Sequence, residues 1–281
     1  MMKEYSVCMS VAGSDPSGGA GLQADLKTFT LLACYGQAVP TALTVQNSLG
    51  VRDSVPVDAE LVYRQIACAM QDLMPHAVKI GMLPNAAVAK AVAEALRRFR
   101  PAFVVLDPVM ISSSGRRLVD EEAVETMDKE LMPLCTLVTP NIPEAVALSG
   151  NPDGTPKEWA GMLSDKWGGV AVLVKGGHAA GRPVDVLFAD GLHTFESDRV
   201  ETPNTHGTGC VLSSAIAALT TRGYGLPAAV EGAKKFLTKP CAKGVIIMPG
   251  QDTEPCICCL PTCNLKFSFP FLFACKHVHF A

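Results

Sequence analysis

A chain of 281 residues that is 48% hydrophobic and 18% charged has enough apolar material for a large core and too much for a disordered polymer. Its net charge of -3 and scattered Lys and Arg provide no basic stripe to neutralise a phosphate backbone, so nucleic acid is not an expected partner. No run reaches the roughly 18 apolar residues of a membrane helix, residues 1–11 lack a signal-peptide pattern, and Cys8, Cys34, Cys68, Cys135 and Cys210 stand singly in apolar segments, which predicts a cytoplasmic protein without a membrane partner.

In chain order, apolar runs of strand length alternate with stretches of helical period, the pattern of parallel β-α-β units with helices on both sheet faces. Residues 5–11 read as a buried strand; Leu22, Leu26, Phe29 and Ala33 then mark one face of a helix that Gly36 can end. A strand follows over 38–45. Asp58 caps a helix carrying Val62, Ile66, Met70 and Leu73, residues 77–80 form a short strand, and 85–99 form another helix. Strands over 103–106 and 137–138 end in Asp107-Pro108 and Thr139-Pro140-Asn141, and a third over 170–174 ends in Lys175-Gly176-Gly177. Polar groups thus collect after strand carboxyl ends, where open α/β sheets bind ligands. A hairpin turns at Asp190-Gly191, and helices over 210–222 and 228–237 follow.

Two glycine-rich stretches can carry chemistry. Residues 13–21 lie between a strand and a helix; Gly19-Ala20-Gly21-Leu22-Gln23-Ala24 matches a dinucleotide fingerprint, but no acidic residue ends the next strand to take a ribose hydroxyl, and a purely structural turn is the other reading. No Walker-type phosphate loop is present. His206-Gly207-Thr208-Gly209-Cys210 precedes an Ala/Ser-rich helix whose unpaired N-H groups and positive dipole end suit a transferring phosphoryl group; a glycine turn with a buried Cys is the alternative.

Taken in order, Ala12-Gly13-Ser14-Asp15 through Gln23-Ala24-Asp25, Thr41-Ala42-Leu43-Thr44-Val45-Gln46-Asn47, Asp107-Pro108-Val109-Met110, Thr139-Pro140-Asn141-Ile142-Pro143-Glu144-Ala145, Val174-Lys175-Gly176-Gly177-His178 and His206-Gly207-Thr208-Gly209-Cys210 resemble the hydroxymethylpyrimidine/phosphomethylpyrimidine kinases of thiamine biosynthesis, within the ribokinase superfamily. The resemblance spans residue 5 to about 238. It implies a ribokinase-like three-layer α/β/α sandwich with a mostly parallel sheet, ATP with Mg2+ as cofactors, a small-molecule substrate phosphorylated twice, and a homodimer.

Position by position, the resemblance implies that Gly13, Asp25, Gln46, Met82 and Val109 bind the substrate, with Asp25 and Gln46 on its polar edge and Met82 and Val109 as apolar walls. It places Lys175, Thr208 and Asn141 at ATP, Glu144 and Asp107 near the metal, and Asp107, Gly207, Gly209 and Cys210 in the catalytic set. Cys210 stands where other superfamily members carry an Asp base; a thiol at a helix amino end can have a lowered pKa, as a base or as part of an anion hole. The kinase domain is expected over 1–239. The tail, 240–281, departs from the pattern: Pro240 interrupts a helix, and six Cys and five Phe follow, with a Cys256-x-Cys258-Cys259 spacing that is not a standard zinc ribbon. A pyridoxal kinase and a nonenzymatic pyrimidine-binding protein are the competing functions.

Overall fold

The computed structural model describes residues 5–47, 50–111, 118–177, 182–197 and 206–242. His178 and the Cys/Phe-rich stretch from residue 243, with its candidate zinc spacing, lie outside the described residues.

The strands are β1 (Val7–Ser14), β2 (Tyr35–Asn47), β3 (Gly50–Pro56), β4 (Ala77–Ile80), β5 (Phe103–Leu106), β6 (Leu137–Val138), β7 (Ala171–Val174), β8 (Val184–Phe188) and β9 (Leu192–Glu196). They form one sheet in the order β3-β2-β1-β4-β5-β6-β7-β8-β9, parallel from β2 through β7 with antiparallel strands at both edges. Side chains alternate along each parallel strand. Cys8, Ala77, Val105, Leu137 and Leu173 pack on one face against α1 (Gly21–Leu31), α7 (Thr208–Thr220) and α8 (Leu226–Ala242). Met9, Val78, Val104, Leu106, Val138 and Val172 pack on the other against α2 (Ala59–Asp72), α3 (Ala86–Phe99), α4 (Glu121–Thr126), α5 (Ile142–Ser149) and α6 (Pro156–Lys166). The expected three layers and mostly parallel sheet are present.

Local chemistry sets most boundaries. The Asp58 side chain accepts from Leu61 N and caps α2 as predicted, and the Asn85 side chain, expected as the first helical residue, caps α3 by accepting from Val88 N. Three expectations are corrected. α1 ends at Leu31, where Ala33 turns left-handed (φ 59), and not at Gly36; Gly36 lies in β2, where a Cβ would sit 2.7 Å from the Leu26 side chain. Leu73 is the exposed C-cap of α2 and not a core position. α8 continues through Pro240 to Ala242, since a proline removes a single helical hydrogen bond and does so here within the last turn.

Strand order reverses at β1: β2 pairs on one side and β4, reached through β3 and α2, on the other. The loops after β1 and β4 therefore diverge and leave a crevice at the carboxyl ends of the parallel strands, the place where open α/β sheets bind ligands.

Candidate active site

A cavity of about 770 Å³ occupies that crevice. Gly13 from β1, Gln46 from β2, Met82 after β4, Asp107 and Val109 after β5, Asn141 and Glu144 at the start of α5, Lys175 after β7, and Gly207 through Cys210 at the start of α7 all line it. Of the residues expected there from the sequence, Asp25 alone does not. It is fully buried behind the wall, with both oxygens engaged by Lys79, Ser10 and Ser214, so it cannot reach the edge of a ligand and its expected role is corrected.

Asp15 organises one rim. Its Oδ1 accepts from Ser17 N at 2.9 Å and Ser17 Oγ at 2.7 Å, and its Oδ2 accepts from Gly19 N at 3.2 Å and Ala20 N at 2.9 Å. The His206 ring, 3.1 Å away, joins this loop to the start of α7. Because a carboxylate only accepts, Nε2 is the protonated ring nitrogen in this contact; the Gln46 amide nitrogen lies 3.1 Å from the same atom, and with both groups donors that contact is not a hydrogen bond in this tautomer. Burial pushes the Asp15 carboxyl up, but the hydrogen bonds from His206 and Ser17 outweigh it and hold the group below its usual value.

Opposite lies an acid and ammonium cluster. Lys175 Nζ donates to Asp107 Oδ1, which also accepts from Thr139 Oγ1 at 3.3 Å. Burial opposes the Lys175 charge, yet Asp107 and then Glu144 outweigh it and raise its pKa. Asn141 and Glu144 form a reciprocal capping box: Glu144 N donates to Asn141 Oδ1 and Asn141 N to Glu144 Oε2, both at 2.9 Å. Two carboxylates flanking an ammonium suit Mg2+, which takes few protein oxygens and completes its shell with water and phosphate. Among the described residues no group of three or more His, Cys, Asp or Glu side chains is arranged to hold a metal.

Burial pushes the Glu144 carboxyl up to about 7, with Lys175 pulling it down and Asp107 pushing it up. The folded value exceeds the ordinary 4.5, so the folded protein holds this proton more tightly than the unfolded chain. Its stabilising contribution is full below pH 4.5 and lost as pH rises through about 7. In chelator, the stability of Glu144→Gln relative to wild type should rise by on the order of 2 kcal/mol between about pH 5 and pH 8. Thermal melts at the two pH values check this; an unchanged difference would mean the carboxylate stays ionised throughout.

The amino end of α7 faces this cluster. A Cβ added at Gly209 would lie 3.0 Å from Asp107 Oδ2 and 3.5 Å from Lys175 Nζ, so the glycine leaves the backbone open to a ligand lodged between them. Cys210 differs from expectation in the sign of its shift: burial pushes the thiol up to about 11, and the opposing pull of Lys79 is too small to reverse it. Site-resolved iodoacetamide labelling should modify exposed Cys68 in preference to Cys210 near neutral pH, with Cys210 labelling rising toward pH 11. Equal labelling at neutral pH would contradict a protonated Cys210.

Sequence reasoning assigned no role to Asp15, His206 or the buried Lys79, and it missed Asp185 and Lys234 at the far end of the cavity. Asp185 accepts from Gly176 N at 2.8 Å and from Lys234 Nζ at 2.7 Å, fixing the strand end that carries Lys175. Lys79 and Asp185 each stand as a charged residue inside an otherwise apolar run, as in Ala77-Val78-Lys79-Ile80, whereas Asp15 and His206 stand within the two glycine-rich motifs.

A family model described as phosphomethylpyrimidine kinase matches residues 15–254. The hydroxymethylpyrimidine/phosphomethylpyrimidine kinase of Rhizobium meliloti (strain 1021) is 46% identical over 255 residues, covering 89% of this chain and 96% of that protein. The crystal structure of phosphomethylpyrimidine kinase from Clostridium difficile 630 is similar with a TM-score of 0.75 and 37% identity, covering 83% of this chain and 98% of that one. Pyridoxal kinase from Staphylococcus aureus, in complex with AMP-PCP and pyridoxal, gives a TM-score of 0.81 at 29% identity over 91% of this chain and 94% of that one. The scaffold is thus common to both kinds of kinase, while the matching family model and the higher identities are those of the pyrimidine kinases: this chain belongs to the phosphomethylpyrimidine kinase family.

Proposed function

We infer that the chain transfers the γ-phosphoryl group of ATP to the hydroxymethyl group of 4-amino-5-hydroxymethyl-2-methylpyrimidine and then phosphorylates the monophosphate to the pyrophosphate, in thiamine biosynthesis. The observation that carries this reading is the junction of two kinds of wall in one cavity: Gln46, Met82 and Val109 on one side, and Asp107, Lys175 and the open amino end of α7 on the other. The amide of Gln46 offers both a donor and an acceptor to an aminopyrimidine edge, and Met82 and Val109 offer apolar contact to its ring.

Phosphoryl transfer passes through a loose transition state that asks for positioning and charge stabilisation more than for covalent help. Lys175 and the N-H groups of α7, with Thr208 and Asn141 beside them, supply that stabilisation to the donor phosphates. Asp107 and Glu144 would hold Mg2+, which neutralises phosphate charge when bound. A thiol with a pKa of about 11 is a poor base near neutrality, so Cys210 serves the site through its backbone N-H and its position rather than as a thiolate.

The test is an ATP- and Mg2+-dependent assay with the hydroxymethylpyrimidine, resolving mono- and diphosphate products by mass, with Cys210→Ala and a pyridoxal reaction in parallel. Two products from the pyrimidine are expected, persisting in Cys210→Ala at reduced rate. Turnover of pyridoxal alone would overturn the pyrimidine assignment, and tight binding without turnover would favour a binding protein.

We also propose a cytoplasmic homodimer. Leu43, Val45 and Val55, each more than half exposed, form an apolar strip on the outer face of β2 and β3 that a second copy would cover. Light scattering at micromolar concentration should give twice the chain mass; a monomer mass would remove the dimer.

A further inference from the structure

Asp25 gains a different role from its surroundings. Lys79 Nζ donates to its two oxygens at 2.9 and 2.8 Å, Ser214 Oγ donates at 2.7 Å, and Ser10 Oγ donates to it as well. Lys79, Asp25, Ser10 and Ser214 are all fully buried, and they come from four different elements: β4, α1, β1 and α7. Each of those elements delivers part of the cavity. β1 carries Gly13 next to its last residue, β4 leads into Met82, α1 begins against the glycine-rich loop, and Ser214 lies one helical turn beyond Cys210. The Lys79 ammonium sits directly behind the strand end, 3.0 Å from where a Cβ on Gly81 would stand.

A buried ion pair is a poor way to gain stability, because apolar side chains of similar volume often serve as well or better. What this pair does is join, through one carboxylate, the elements that must stay in register for the site to exist. We propose that Lys79 and Asp25 are positioning residues of the phosphoryl transfer, holding the amino end of α7 against β1 and β4 so that Gly209 and Cys210 meet Asp107 and Lys175. Burial opposes the Lys79 charge, but Asp25, Cys210 and Asp107 outweigh it and keep the ammonium protonated. Lys79 is in turn the largest influence drawing the Cys210 thiol down against burial.

The inference rests on the kinase reading but not on which heterocycle is phosphorylated. The test is the double variant Lys79→Gln/Asp25→Asn, which removes both charges while keeping hydrogen-bonding side chains of similar size. It is assayed on whichever alcohol the wild type turns over, the pyrimidine or pyridoxal, and calorimetry gives the Kd of the same alcohol. A fall in kcat of at least about tenfold per folded enzyme is expected, with Kd within about threefold of wild type because Gln46, Met82 and Val109 are untouched. A kcat within about twofold of wild type, or equal losses of kcat and affinity, would overturn the positioning role. Should the double variant fail to fold, Ser214→Ala cuts the link to α7 alone. It should lower kcat by about threefold or more with Kd held, and an unchanged kcat would overturn the proposal. A folded wild type inert on both alcohols would sink the kinase reading and the inference together; an active wild type with indifferent variants would sink the inference alone.

Discussion

Lys175→Met is expected to turn over at least about a hundredfold more slowly than wild type at saturating ATP, Mg2+ and alcohol, the range seen when a preorganised donor is removed from a site of developing charge. The ammonium is largely buried, with 15% of its side chain exposed, and bonds Asp107 while standing opposite Gly209. On the proposed reading it would meet a phosphoryl group in surroundings where its charge is poorly screened. Removing it has a second consequence. Lys175 is the main influence holding down the Glu144 carboxyl, which burial and Asp107 already push up, so the variant should take up a proton there near neutral pH. Steady-state kinetics across pH separate the two effects. A kcat deficit that stays constant as pH rises belongs to the missing donor, and one that shrinks as pH rises belongs to Glu144 protonation. A kcat within about threefold of wild type at every pH would reduce Lys175 to a charge partner of Asp107.

The central strands were readable because a parallel strand buried on both faces is a continuous apolar run: β4 and β5 fall where the pattern predicts. β3 was not. Gly50–Pro56 is half-exposed, carries Arg52 and Asp53, and is a strand only because the long β2 offers it an antiparallel edge. α5, at eight residues, is too short to show a helical period, and its visible signal was the Asn141 and Glu144 pair, which the resemblance assigns to ATP and the metal and which the fold also uses as a capping box. Both uses are compatible, since each Glu144 oxygen has a second lone pair.

The site divides along the same line. Asp107, Asn141, Lys175 and Gly207 to Cys210 follow strands or open a helix, and position alone brings them to one end of the sheet. Asp25 and Lys79 are 54 residues apart and meet only because β4 lies beside β1 with α1 packed over both, information that no local pattern carries. The Cys210 thiol makes the same point. Its place at a helix amino end argued for a lowered pKa, but the size of the opposing burial effect depends on Ala24, Val211, Phe236 and Leu237, which come together around it only in the tertiary structure.

Gly207→Ala tests the joint between the two glycine-rich segments and should be among the most damaging single-methyl changes at the described glycines. Gly207 is the N-cap of α7 with φ 79, a left-handed conformation that costs a residue with a Cβ about 1 kcal/mol. Its added Cβ would also collide with the carbonyl oxygen of Gly19. That carbonyl cannot retreat freely, because Asp15 holds the loop through the N-H groups of Gly19 and Ala20. The amino end of α7 must give way instead, carrying Gly209 away from Asp107 and Lys175. A shift of even one ångström there is enough to cost on the order of a hundredfold in kcat. Gly223→Ala separates dihedral from collision: its φ is 87, yet among the described residues nothing lies within 4 Å of its Cβ. Both variants should lose some thermal stability, about 2–4 °C per kcal/mol for a chain of this size, but only Gly207→Ala should lose turnover. If the two variants kept equal kcat, the contact between Gly207 and the Gly19 carbonyl would not be what aligns α7 with the phosphoryl site.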